Sequence, residues 1–264
     1  MSYRIAITNL KGGVGKTTIC FNLAGALAEK GKKILLIDMD HQGNLSSMFI
    51  PNIYDLDRTI ADVLVGAEEI RIERVLHPTA IANIDLVPAN LTLSDLDSLL
   101  ASDGDAQYFL YDELAELDHD PYDFILIDCP PNLGLATRMA LIATHGYMVP
   151  IECQKWAPIG SQRLLSVVQK IRRRANPSLE LLGYVISKFD VRRKINQDYL
   201  EQFQDAYRNE LFKTIIGDYV QYIESVSRHE PITTYAPKSK QAETFRDLAD
   251  ELIRHRLVVA HGKG

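Results

Sequence analysis

Cysteine is scarce in this sequence. Cys20, Cys129 and Cys153 are its only three, and no two stand in a CxxC spacing. That excludes paired-cysteine zinc or iron–sulfur ligation and fits a reducing compartment. Positive charge is also in deficit, with 29 Lys plus Arg against 35 Asp plus Glu, a net charge of −6. A globally basic nucleic-acid binder is therefore excluded, although a local basic patch is not. No apolar run is long enough to span a bilayer, and a strand-like run follows Met1 directly, so neither a membrane span nor a signal peptide is expected. There is no Pro/Ser/Gly-rich linker, no internal repeat and no low-complexity tract. A soluble cytoplasmic chain of one domain over residues 1–264 is expected. Its 46% hydrophobic content is enough for an extensive core.

Short, continuously apolar runs alternate with helical periodicity along the chain. Tyr3–Asn9, Lys33–Asp38, Asp85–Ala89, Phe124–Asp128, Gly146–Ile151 and Leu181–Ser187 read as strands buried on both faces. Thr17–Lys30 repeats Ile19, Leu23 and Leu27 at helical spacing and stops at Gly31. Such alternation predicts βαβ units over a mostly parallel twisted sheet flanked by helices, an α/β fold. Tyr54–Leu100 reads as an irregular, partly helical connection.

Three polar motifs cap these apolar runs, at the strand ends where open α/β sheets bind ligands. The first is Lys11-Gly12-Gly13-Val14-Gly15-Lys16-Thr17-Thr18. Its glycines let backbone N–H groups approach phosphate oxygens, and the helix that follows offers its N-terminus to an anion. Lys16 suits the β- and γ-phosphates and Thr17 suits Mg²⁺. Leu10 stands where the usual phosphate-loop pattern has its first glycine, and Lys11 is a second lysine that the pattern does not require. The second motif, Asp38-Met39-Asp40-His41-Gln42-Gly43-Asn44, puts two carboxylates on one side of a strand end, where either could orient water or Mg²⁺. The third is Asp128-Cys129-Pro130-Pro131, in which Asp128 suits Mg²⁺ held through water. Cys129 reads as a packed small hydrophobe and His41 as an exposed loop histidine. The three motifs together predict a Mg²⁺-dependent nucleoside triphosphatase.

These motifs resemble those of the ParA family of deviant Walker-A ATPases, relatives of MinD and of the nitrogenase iron protein. The likeness continues through Pro150-Ile151-Glu152-Cys153, Gly183-Tyr184-Val185-Ile186, Phe189-Asp190 and Ser239-Lys240-Gln241-Ala242-Glu243. The resemblance implies an ATP-sandwiched homodimer in which Lys11 reaches the partner's nucleotide, in the manner of an arginine finger. It implies that Asp40 positions the attacking water, that Asp128 is the Walker B carboxylate, and that Gly12 lets two loops approach closely. It also implies a cargo-bound adaptor of the ParB type that stimulates hydrolysis. Gly217-Asp218-Tyr219 departs from the family's pattern of Pro and Asn around the base-binding stretch.

Within that family, a DNA-segregating member binds double-stranded DNA non-specifically and associates with the nucleoid. Candidate phosphate contacts are Arg172-Arg173-Arg174, Arg192-Arg193-Lys194, Lys238 and Lys240. No aromatic interleaving suggests base stacking, so backbone contacts are expected. No helix-turn-helix segment precedes the first strand, so sequence-specific autorepression is not expected. Alternatives are the same ATPase carrying a protein assembly, such as carboxysomes or chemoreceptor clusters, and a MinD-like membrane-cycling ATPase. The latter needs an amphipathic basic tail, which Arg254–Ala260 supplies only in part; the tail reads instead as the end of a packed helix over Glu243–Arg254. Lys155 is read either as a nucleotide or dimer contact or as a surface residue. Paired cysteines at a dimer axis, as an iron-protein reading requires, are lacking.

Overall fold

Every residue of the first strand, β1 (Tyr3–Ile7), is buried, because the sheet it enters is covered on both faces. The computed structural model describes residues 2–66, 70–117, 122–154 and 157–261. The other strands are β2 (Ile34–Asp38), β3 (His77–Pro78), β4 (Ile84–Val87), β5 (Phe124–Asp128), β6 (Gly146–Glu152), β7 (Glu180–Phe189) and β8 (Leu211–Gly217). They form one sheet in the order β3-β4-β2-β5-β1-β6-β7-β8. Pairing is parallel except at the β3–β4 edge, which is antiparallel. The chain runs outward to one side from β1 to β4 and returns through β5 to the other. The junction of β1 and β5 is thus the point where strand order reverses, and a ligand crevice belongs at its carboxyl end.

Eleven α-helices occur among the described residues. The first half of the chain contains α1 (Lys16–Glu29), α2 (Asn44–Ser47), α3 (Ile60–Val65), α4 (Leu96–Leu99), α5 (Phe109–Glu116) and α6 (Leu135–Ala143). The second half contains α7 (Ala157–Arg174), α8 (Lys194–Tyr207), α9 (Val220–Ser227), α10 (Ile232–Tyr235) and α11 (Lys240–His261). Alternation along each strand divides the core in two. Ile5, Ile7, Leu36 and Leu126 face α1 and α11, while Ala6, Leu35, Ile37, Ile125 and Ile127 face the opposite helical layer.

Helix α1 is apolar nearly all round because it lies between the sheet and α10–α11. Ile19, Leu23 and Leu27 are almost fully buried. Asn22 pins the neighbouring segment to it: Nδ2 donates to Thr18 O at 2.9 Å, and Oδ1 accepts from Ile232 N at 2.7 Å. One turn on, Gly25 leaves room for Pro231, whose Cβ would sit 2.3 Å from any Cβ added there.

The structure differs from the sequence expectation at three places. β3 and β8 are additional strands, and the last helix is longer, Lys240–His261 instead of Glu243–Arg254. β8 lies at the sheet edge and shows only a half-buried pattern, with Lys213 exposed between Phe212 and Thr214. The N–H groups of Lys213 and Thr214 are satisfied by the Glu251 carboxylate of α11, both at 2.8 Å, so a side chain from far along the chain closes this edge. Helix α11 itself is held by Phe245, Leu248, Ala249 and Leu252, all fully buried. Arg256 donates to Asp123 O at 3.0 Å and lies 5.0 Å from the Phe124 ring centroid. From Phe245 to Leu252 the apolar stripe of α11 is therefore covered by its own fold, whereas Leu257 is exposed. The side chains from Val258 onward lie outside the described residues, as does Lys155. No helix among the described residues is long and apolar enough to cross a membrane.

Gly25→Ala should destabilise the protein by about 1–3 kcal/mol, because the added methyl group must displace Pro231 from α1. Urea unfolding of the variant and the wild type measures the difference.

Candidate functional site

The loop between β1 and α1 is shaped by two glycines in left-handed conformation, Gly13 (φ 76°) and Gly15 (φ 84°). Both positions strain any residue with a Cβ. Three side-chain bonds fix the loop, two of them to neighbouring strands. Asn9 Nδ2 donates to Pro150 O at 2.6 Å and its Oδ1 accepts from Lys11 N at 3.0 Å. Ser187 Oγ, on β7, donates to Val14 O at 2.7 Å. The loop borders a cleft of about 430 Å³ that Lys16, Thr17 and Asp40 also line. Lys16 is 7% exposed, with Nζ 3.4 Å from Lys11 O. A lysine, a hydroxyl and a glycine turn opening a helix are together the chemistry of a polyphosphate cradle.

The three acidic residues occupy different positions around this cleft. β2 and β5 pair so that Asp38 stands directly beside Asp128. Asp38 is fully buried and takes three hydrogen bonds: Asp40 N at 3.0 Å, Ser46 N at 2.9 Å and Ser46 Oγ at 2.8 Å. Burial nevertheless pushes its pKa up to about 6. Ser46 Oγ also accepts from Ala89 N at 2.8 Å, so Asp38 ties the Asp40–Ser47 loop to the end of β4. Asp40, 6% exposed, is the carboxylate that lines the cleft. Its Oδ1 accepts from Gln42 N at 3.0 Å. Gly43 turns the chain at φ 61° under Ile53 and Ala89, where a Cβ would come within 2.8 Å of the Ala89 carbonyl oxygen.

Asp128 is 1% exposed, and neither carboxylate oxygen has a hydrogen-bond partner. Burial and the neighbouring Asp38 raise its pKa well above the usual carboxylate range. Thr17 and Lys16 pull it down, though neither makes a hydrogen bond of normal geometry to it. An orphaned buried carboxylate beside a phosphate loop fits a hydrated divalent cation above it, which would supply the missing positive charge and donors. No cluster of three or more His, Cys, Asp or Glu side chains capable of holding a metal occurs among the described residues. Cys129, buried next door, has its thiol pKa raised by burial and by Asp128, as befits a packing residue and not a nucleophile.

The second lysine is placed elsewhere. Lys11 does not line the cleft. Its Nζ lies 2.5 Å from Glu152 Oε2 and 2.7 Å from Gln154 Oε1, both at the end of β6, and its side chain is 45% exposed. Gly12, beside it, has room for a methyl group: the nearest atom to an added Cβ is Pro131 Cβ at 4.0 Å.

The basic clusters are all exposed but are not brought together. Arg192-Arg193-Lys194 follow the carboxyl end of β7, on the cleft side, and Asp190 holds Arg192 through bonds of 2.9 and 3.0 Å. Arg172-Arg173-Arg174 end α7 at the opposite, amino-terminal end of the strands, where Arg172 acts electrostatically on Tyr147 near the start of β6. Lys238 and Lys240 precede and open α11. Sequence reading did not identify Asn9, Ser46, Gln154, Ser187 or the role of Glu152 as the partner of Lys11. Asn9 alone carries a local signal, as a polar residue directly after an apolar strand. Gly217, Asp218 and Tyr219 border a second cavity, of about 190 Å³, that opens from Gly15 and Thr18.

Asp128 holds its proton more tightly in the fold than in the unfolded chain. As pH rises, the unfolded chain ionises first, so stability is lost from about pH 4 upward until the folded carboxyl ionises as well. In the absence of nucleotide and metal, Asp128→Asn should therefore be the more stable form, by a margin that widens with pH to about 1–3 kcal/mol near neutrality. Urea midpoints from pH 4 to 8 test this; a constant difference across the series would contradict it.

Comparison with known proteins agrees with this geometry. Residues 2–181 match a family model described as "AAA domain". The sporulation initiation inhibitor protein Soj of Bacillus subtilis is 35% identical over 248 residues, covering 94% of this chain and 97% of that protein. The chromosome partitioning protein ParA of Myxococcus xanthus is 34% identical over 250 residues, covering 95% of this chain and 87% of that protein. A Mycobacterium smegmatis structure described as cobyrinic acid a,c-diamide synthase with bound ADP and magnesium superposes with a TM-score of 0.84. It is 32% identical and is matched over 97% of this chain and 95% of its own. The chain belongs to the ParA/Soj family of partition ATPases.

Proposed function

We propose that this protein is a Mg²⁺-dependent ATPase that dimerises around ATP, binds double-stranded DNA non-specifically as the dimer, and positions or segregates cargo along the nucleoid. The observation that carries the dimer is the placement of Lys11. It stands on the cleft rim, half exposed and turned away from its own phosphate cradle. A cation so placed suits a second chain's nucleotide, and Gly12 beside it keeps the approach free of side chain.

Within one chain, Lys16 would hold the β- and γ-phosphates and the Thr17 hydroxyl would hold Mg²⁺, with Asp128 placed to act on the ion through water. When bound, Mg²⁺ neutralises charge between the phosphates. Asp40 orients the attacking water with its carboxylate, which the bond from Gln42 N to Oδ1 steadies. Lys11, delivered in trans, stabilises charge developing on the transferred phosphoryl group. To do so it must leave Glu152 and Gln154. Loss of the γ-phosphate then removes the attraction across the interface, so hydrolysis releases the dimer. A cargo-bound adaptor of the ParB type would set when that happens. Exposed Arg192, Arg193 and Lys194 on the cleft side, Arg172 and Arg173 at the opposite end of the strands, and Lys238 and Lys240 are the proposed phosphate-backbone contacts. Dimerisation doubles them, which makes DNA affinity both ATP-dependent and steeply salt-dependent.

Sizing in ATP and Mg²⁺ should show a stable dimer for Asp40→Ala and a monomer for Lys16→Ala; an Asp40→Ala protein that stays monomeric at saturating ATP would refute the sandwich. Glu152→Gln, which loosens the hold on Lys11, should dimerise at several-fold lower ATP, the scale of a partly exposed ion pair. Wild-type binding to random duplex DNA should require ATP and weaken steeply with salt. Equal affinity with and without ATP, or binding to liposomes in its place, would contradict the nucleoid reading.

A further inference from the structure

Charge is divided unevenly along this chain. Residues 54–123 hold 17 Asp plus Glu against three Lys plus Arg, whereas the remainder holds 18 against 26. The acidic stretch includes α3, β3, β4, α4 and α5, so it builds the β3–β4 edge of the sheet and the helices beside it. The Arg192-Arg193-Lys194 run follows β7, toward the other edge. One side of the molecule therefore carries a strongly negative field that the modest net charge conceals.

A groove of about 420 Å³ opens on that acidic side, between α3 and the segment that carries Thr92 and Leu99. Among the described residues it shares none of its lining with the phosphate cleft. Ala61, Val65, Ile70 and Leu99 give it an apolar surface, and Leu99 is 57% exposed. Its α3 wall is fixed at both ends. Thr59 and Asp62 close a capping box, with Thr59 N donating to Asp62 Oδ2 at 2.7 Å, and Gly66 stops the helix at φ 67°. Ile60, Val63 and Leu64 anchor α3 in the core, so the groove is preformed.

The rim is negative. Asp57 is exposed there, and Asp95, Asp103 and Asp105 are exposed around α4. Arg58 also borders the groove but is already engaged within the fold. Such a field repels nucleic acid and anionic lipid alike. A second copy related by a two-fold axis would set the same acidic surface against itself. The complementary occupant is a cationic protein segment with apolar side chains on one face.

We propose that this groove docks a basic amphipathic segment of a partner protein, its apolar side chains entering beside Leu99 and its Lys or Arg residues lying along the acidic rim. The site stands apart from the phosphate cleft, and the proposal does not rest on the nucleotide reading.

The test uses two fluorescent peptides of about 14 residues, or four helical turns, with equal charge. One is an amphipathic helix of Leu and Lys; in the other every Leu is replaced by Gln. Anisotropy with the full-length protein should show the Leu-containing peptide binding about tenfold more tightly, the scale of one leucine side chain leaving water. Leu99→Ser should remove most of that preference, and Asp57→Ser should weaken both peptides about twofold at low salt. Both side chains are exposed, so the variants should fold as the wild type does, which circular dichroism checks. Equal affinities for the two peptides, or a preference unchanged in Leu99→Ser, would overturn the proposal. So would self-association of the wild type without peptide that Leu99→Ser abolishes, since the occupant would then be a second copy.

Discussion

Two carboxylates side by side at the ends of adjacent parallel strands, out of solvent, are the constraint on which the rest of this site depends. Asp38 and Asp128 are in register across β2 and β5, and both are essentially inaccessible. Like charges so placed cannot both ionise at low cost in a poorly solvated interior. The fold treats them unequally. Asp38 receives three donors from its own loop, whereas Asp128 receives none. One becomes a brace and the other remains a demand for positive charge. That demand faces the Lys16 and Thr17 side of the loop, where a hydrated cation and a polyphosphate would meet it.

The brace determines how the rest of the cleft is held. Because Ser46 bridges Asp38 to the backbone of Ala89, the loop carrying Asp40 is fastened at both ends. Gly43 gives it a turn that no side chain could enter. Asp40 thus points into the cleft from a rigid support, as a water-orienting group must if it is to act without reorganisation. The phosphate loop is fastened in the same way, by Asn9 to β6 and by Ser187 to β7. Its conformational freedom is spent in forming the fold, so little remains to be lost when an anion is bound.

The parts of this arrangement that were legible in the sequence are those that lie close together along the chain. The glycine loop and the two Asp-capped strands each announce themselves within a few residues. So do the double coverage of the sheet and the alternation that builds it. The supports are not local. Asn9 meets Pro150 across 141 residues and Ser187 meets Val14 across 173, so no window of sequence contains both partners. β8 escaped for a related reason. As an edge strand it is neither continuously apolar nor cleanly alternating, and its loose N–H groups are closed by Glu251 from α11. The basic runs show the opposite failure: three similar clusters in sequence are distributed to opposite ends of the sheet by the crossover through α7.

Some residues have no explanation inside one chain, and these are the most informative about function. Gly13, Gly15 and Gly43 are required by local geometry, but Gly12 is not, since it has ordinary room for a Cβ. Lys16 is drawn in toward the Asp38–Asp128 charge, but Lys11 is not; it rests on Glu152 and Gln154 at the rim. An ion pair so exposed contributes little to stability, at most about 1 kcal/mol, so the fold gives no strong reason for a lysine there. A small residue and a loosely held cation side by side at the mouth of a phosphate cleft are what a second surface would need in order to come close and complete the site. The proposed dimer gives both residues a reason. It also makes the weakness of the Lys11–Glu152 contact useful, because a lysine that must change partners on each cycle cannot be held tightly by the first.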